Sequence, residues 1–179
     1  ESALANLALA SGDLDSAIER FEGLRGGEAG ALGRADRWQL VAAYSAKEQW
    51  AAAKREMATL LNDLKEPPTN DERVRAANLY RQHGEEAYAQ AQLDYVLKVN
   101  PAHPAAVVTK AYLLADAKKN DAAAALLRKA IAGAKQGPPA VFFLMLGAIE
   151  NITPPADTAR RRALAAIDEG LAVQPDSLE

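Results

Sequence analysis

The feature that most constrains this chain is a small residue that returns at a nearly fixed interval. Ala17, Ala53, Ala89, Ala123 and Ala163 follow one another at spacings of 36, 36, 34 and 40 residues. Four places after each stands a large apolar residue: Phe21, Met57, Leu93, Leu127 and Ile167. Residues four apart share one face of a helix, so each pair predicts a helix with a narrow contact followed by a bulky one. Twelve places before the alanine come Ala5, Val41, Ala77 and Ala111, and nine before it come Ala8, Tyr44, Tyr80 and Leu114. These mark a second, earlier helix in each copy. A chain of about three dozen residues per copy, each copy two helices, cannot bury its apolar faces alone and has to stack on its neighbours.

The repeated hairpins resemble the tetratricopeptide repeat, a helix–turn–helix unit of 34 residues. Gly12-Asp13 and Gly84 fall on the family's usual turn, Tyr44 and Tyr80 on its aromatic position, and Pro101 and Pro175 on its closing proline. The tryptophan of the family's first helix is shifted to Trp38 and is replaced by Val74 or Val107 elsewhere, and the fifth unit carries an insertion. The resemblance implies an all-α, right-handed α-solenoid of antiparallel helix pairs, about ten helices in all. The expected units are 1–33, 34–69, 70–103, 104–137 and 138–177, forming one solenoid and a fragment of a longer array.

Composition agrees with close helix packing. Alanine fills about a quarter of the chain, well above ordinary usage, and it has the best intrinsic helix propensity. A net charge of −3 and a pI near 5.5 give no basic excess of the kind that nucleic-acid binding needs. The most apolar run, Val141 to Gly147, is far short of the roughly 20 residues that cross a bilayer. With no cysteine, neither disulfides nor thiol catalysis are possible, and cytoplasm and periplasm are both compatible with that absence.

Punctuation along the chain follows the same plan. The glycine-dense Gly26 to Gly33 lacks a Gly-Lys-Ser/Thr ending and has no strand before it, so it reads as a connector between repeats and not as a phosphate loop. Pro67-Pro68 ends a helix expected to run to about Leu64, and Thr69 with Glu72 predicts a capping box for the next one. Lys119-Asn120-Asp121 is read as the turn of unit four. Ile152 to Ala156 is read as the inserted turn of unit five, with Asp157 or Thr158 as a cap. Gln174-Pro175-Asp176 is a phrase that normally introduces another repeat, and a bare solenoid end predicts self-association or further repeats.

Catalytic residues are sparse. His83 and His103 lie in separate inter-helix segments, His103 reading as a solvated loop histidine. Glu85-Glu86 diverge by about 100° on a helix and cannot face each other as acid and base. Arg160-Arg161-Arg162 fan around the last helix as a solvated face. The expectation is a chain with no enzyme activity, no cofactor and no metal.

In the family that the repeats resemble, first helices line a concave groove that holds a peptide or a helix of a partner protein. Carried over position by position, that implies Trp38, Gln39 and Ala42, then Val74, Arg75, Asn78 and Arg81, then Val108, Thr109 and Tyr112, then Val141, Leu144, Met145 and Ala148. Arg75 and Arg81 make the centre cationic between apolar flanks, which suits a peptide carrying a carboxylate between hydrophobic anchors. The family's chaperone-binding members clamp a terminal carboxylate with Lys and Asn. Asn6 and Asn78 sit at comparable positions, but Ser2 and Val74 replace the lysines, so no such clamp is expected. The other reading of the same repeats is a structural array that spaces flanking domains or self-assembles, as in a bacterial envelope or polysaccharide-export complex.

Overall fold

The computed structural model describes residues 1–26, 32–134, 137–151 and 156–173. Ten helices follow in order: α1 Ser2–Ser11, α2 Leu14–Gly26, α3 Arg34–Ala46, α4 Trp50–Leu61, α5 Asn70–Gln82, α6 Glu86–Val99, α7 Pro104–Asp116, α8 Asn120–Gly133, α9 Ala140–Asn151 and α10 Ala156–Val173. No strand occurs among the described residues. All but the last residue of the turn expected over Ile152–Ala156, most of the glycine-rich connector and the closing Gln174–Glu179 lie outside them. So do the side chains of Asp157, Thr158, Arg160 and Ala163.

Residues 1–72 and 73–179 form two compact units, the division falling inside α5. In the first, α1 packs on α2, α2 on α3 and α3 on α4. In the second, α6 packs on α7, α7 on α8, α8 on α9 and α9 on α10, while α7 also touches α9.

The repeat residues account for this packing. Ala17, Ala53, Ala89 and Ala123 are fully buried, and so are Phe21, Met57, Leu93 and Leu127 one turn later. Their partners on the first helices, Ala5, Val41, Ala77 and Ala111, are equally inaccessible. A methyl group at each crossing lets two helices approach, and the large residue beside it fills the space that their divergence opens.

The turns repeat as strictly. Gly12, Glu48, Gly84 and Lys118 have φ of 83°, 58°, 73° and 62°, each five residues before its buried alanine. The next residue donates its amide back to the aliphatic or aromatic position of the first helix: Asp13 to Ala8, Gln49 to Tyr44, Glu85 to Tyr80 and Lys119 to Leu114, at 2.8–2.9 Å. One left-handed residue therefore closes each first helix and aims the chain into the second. Lys118 carries this conformation in the fourth pair, and α8 already begins at Asn120, so the turn precedes the expected Lys119-Asn120-Asp121.

Two other local expectations are corrected. α4 ends at Leu61 rather than near Leu64. The Asn62 amide caps the Ala58 carbonyl, and the Asp63 carboxylate accepts from the amides of Lys65 and Glu66, an Asx turn that stops the helix before either proline acts. His103 is the N-cap of α7 and not a solvated loop residue: its Nδ1 accepts from the Ala106 amide at 3.4 Å, with Pro104 opening the helix.

Candidate functional site

In the first unit the polar side chains of the first helices are used to lock one helix to the next. The Thr69 hydroxyl accepts from the Glu72 amide at 3.2 Å while the Glu72 carboxylate accepts from the Thr69 amide at 2.8 Å, the reciprocal capping box. That carboxylate also receives Arg34 Nε at 2.6 Å and Nη2 at 3.0 Å, and the Trp38 indole at 2.7 Å. Burial acts to raise the Glu72 pKa, but the hydrogen bonds from Arg34, Thr69 and Trp38 outweigh it and pull it down to about 2. Asp36 similarly accepts from Ser2 at 2.7 Å and Asn6 at 3.4 Å.

In the second unit two contacts lace α5 to α7. The Thr109 hydroxyl donates to Asn78 Oδ1 at 3.3 Å, and Arg81 donates to Asp116 at 3.5 Å. Tyr112 lies between these two contacts on α7, one helical turn from each, and its side chain is 52% exposed. On α9, which packs against α7, Val141 and Leu144 are also exposed, as is Ala148. The 36-residue step places Leu144 and Ala148 at the same helical positions as Val108 and Tyr112, so the apolar rows of the two helices correspond.

The fourteen residues implied as partner contacts do not share one environment. Trp38, Gln39 and Ala42 belong to the first unit and the others to the second. Trp38, Val74, Thr109 and Met145 are buried, held by neighbouring helices and unavailable as surface. Gln39, Ala42, Asn78, Arg81 and Val108 are half-buried, whereas Arg75, Tyr112, Val141, Leu144 and Ala148 are exposed. Asp116 and Asp36 were not read as contributors. The signal that points to them is spacing: each acid sits 34 or 35 residues after its donor, Ser2 or Arg81, which is one repeat along.

No protein-family model matches the chain, and neither does a curated protein. Among solved structures, YrrB, described as a TPR protein with an unusual peptide-binding site, superimposes with a TM-score of 0.60 over 96% of this chain and 84% of its own, at 18% sequence identity. The fold is that of the tetratricopeptide repeat. The tetratricopeptide hairpins expected from the repeats are thus matched in backbone geometry by a chain of only 18% identity.

A cleft of about 450 Å³ is lined by residues of α8, α9 and α10, including Leu146, Ala166, Arg162 and Glu169, and there Arg128 is already paired with the buried Glu150. Among the described residues no group of His, Asp and Glu could hold a metal ion, and no helix is long and apolar enough to cross a membrane.

Proposed function

We propose that the chain is a non-catalytic interaction scaffold that holds a peptide or helix of a partner protein against its first helices. The observation that carries this reading is Tyr112, an aromatic ring half in solvent beside the α5–α7 seam, with Val141 and Leu144 exposed on the adjoining α9. Exposed apolar side chains grouped on one face mark sites where another molecule completes the burial, and tyrosine is enriched at such sites. The fold shared with YrrB, whose description includes a peptide-binding site, supports the same reading.

The surface centres on Arg75, Asn78, Val108, Tyr112 and Leu144 and takes a peptide with a carboxylate between apolar anchors. Arg81 contributes less charge because Asp116 stands 3.5 Å from it. The test is selection of peptides from a random library against the whole chain, followed by titration of the best binder. Tyr112→Ala combined with Leu144→Ala is expected to weaken binding about tenfold or more, and Arg75→Ala to flatten its salt dependence. Affinity and salt slope unchanged in both variants would refute the reading.

A further inference from the structure

One face of α6 differs from the same face of every other second helix. Tyr88, Tyr95 and Val99 are 56%, 51% and 65% exposed. Spaced by seven and four residues, they form a single stripe about 16 Å long at the helical rise of about 1.5 Å per residue. At the position of Tyr88 the other four second helices carry Ser16, Ala52, Ala122 and Arg162, and at that of Tyr95 they carry Gly23, Thr59, Lys129 and Glu169. The repeat is built four times without an aromatic side chain at either place, so stacking of the scaffold does not call for these rings.

Both rings are held from beneath. Tyr88 stacks on Tyr80 with centroids 5.3 Å apart and planes at 23°. The Arg73 guanidinium lies 3.9 Å from the Tyr95 ring centroid and donates from Nη1 to Gln92 at 2.9 Å. Its Nε is buried with no hydrogen-bond partner among the described residues. Aromatic side chains fixed in this way lose little freedom on binding, which is what makes preorganised tyrosines effective anchors. Charge gives the stripe a direction. Arg73 and Lys98 flank its Tyr95–Val99 end, where the nearby acid Asp94 is already paired with Lys110, whereas Glu85 and Glu86 stand at its Tyr88 end.

We propose that this face is a second docking surface, separate from the first-helix surface, and that its occupant is an amphipathic helix of a partner protein. A three-turn helix matches the length of the stripe, its apolar side chains meeting Tyr88, Tyr95 and Val99. Its carboxylates lie against Arg73 and its basic residues toward Glu86.

The experiment uses the whole chain and two synthetic helical peptides of about 14 residues, each with leucine at i, i+4, i+7 and i+11. They differ only in carrying Glu or Lys beside the leucines that meet the Arg73 end. The Glu peptide is expected to bind about tenfold tighter than the Lys peptide. Arg73→Gln should bring the two within about twofold, and Val99→Glu, at an exposed position that leaves the fold intact, should abolish binding. Tyr112→Ala with Leu144→Ala should leave it unchanged. Several outcomes would overturn the proposal: no binding of either peptide below about 1 mM, equal binding of both, indifference to Val99→Glu, or loss of binding in the Tyr112/Leu144 variant, which would place the peptide on the first helices. Concentration-dependent dimers that Val99→Glu dissociates would make a second copy of this chain the occupant and overturn the partner assignment.

Discussion

Trp38 donates its indole N–H to the Glu72 carboxylate at 2.7 Å, and Ser2, one repeat earlier, donates to Asp36 at the same distance. Donor and acceptor are 34 residues apart both times, so these are equivalent rungs between successive first helices. One repeat further on, the two positions hold Val74 and Ala106, both buried and neither able to make this hydrogen bond. Removing the acceptor takes its 2.7 Å hydrogen bond from Trp38, a residue that is 3% exposed, and both carboxylate bonds from Arg34, which keeps its bonds to the Leu60 and Glu66 carbonyls. Glu72→Ala is therefore expected to cost about 2–3 kcal/mol, and Trp38→Phe, which leaves the carboxylate its other donors, about 1–2 kcal/mol. Urea midpoints of the two variants check this; a Glu72→Ala loss below about 0.5 kcal/mol would mean the rung carries no net stability.

The same carboxylate sets an acid limit. Folding lowers the Glu72 pKa from 4.5 to about 2, so between those values the unfolded chain binds the proton first. Its contribution is fully present above about pH 4.5 and disappears as pH falls through that window. Solvent reaches part of the site, and screening reduces the expected loss to about 1–2 kcal/mol. At the other end, burial and then the hydrogen bond to Glu22 push the Tyr44 hydroxyl up to about 12. Its contribution is present below pH 10 and is lost as pH rises from 10 to 12. Chemical denaturation across pH should show the acid limb flattened in Glu72→Gln and the alkaline limb flattened in Tyr44→Phe.

Four turns with one geometry and two kinds of residue make an internal experiment. Glu48 and Lys118 hold left-handed φ without being glycine, and both are exposed. Their β-carbons crowd the following carbonyl, a strain of about 1 kcal/mol that glycine does not bear. Glu48→Gly and Lys118→Gly should each raise stability by about 0.5–1 kcal/mol, while Gly12→Ala and Gly84→Ala should each lower it by about 1 kcal/mol. Thermal melts of the four variants decide it. The same sign for all four would mean that the turns do not share the conformation described.

How much of this was legible in the sequence depends on the range of the interaction. The alanines, the large residues one turn later and the Thr69–Glu72 capping box are readable because they obey rules acting within one or two helical turns. α9 begins at Ala140 and ends at Asn151, as its apolar run and flanking prolines suggest. Which residues of a first helix face outward was not readable for Trp38, Val74, Thr109 and Met145. A helix inside a stack is covered both by its own partner and by its neighbouring repeats, and helical periodicity reports apolarity without saying which neighbour supplies the cover. The Arg81–Asp116 pair was hidden for the same reason: its members are a repeat apart, and nothing near Arg81 marks it as already engaged.

The run Ala122 to Ala125 separates packing from propensity most sharply. All four residues are alanine and all lie on α8, so their local helix preferences are identical. Ala123 is fully buried among Val107, Ala111, Leu127 and Phe142, whereas Ala125 is exposed. Ala123→Glu has to place a carboxylate in an apolar contact with no room and no partner, and is expected to cost more than about 3 kcal/mol. Ala125→Glu should stay within about 0.5 kcal/mol of the parent. Because the chain consists of two compact units, the Ala123→Glu loss should appear first in amide exchange of α7, α8 and α9, with α1 to α3 retaining their protection at the same denaturant concentration. Equal losses for the two substitutions would mean that the small residue marking each repeat does not sit at a helix crossing.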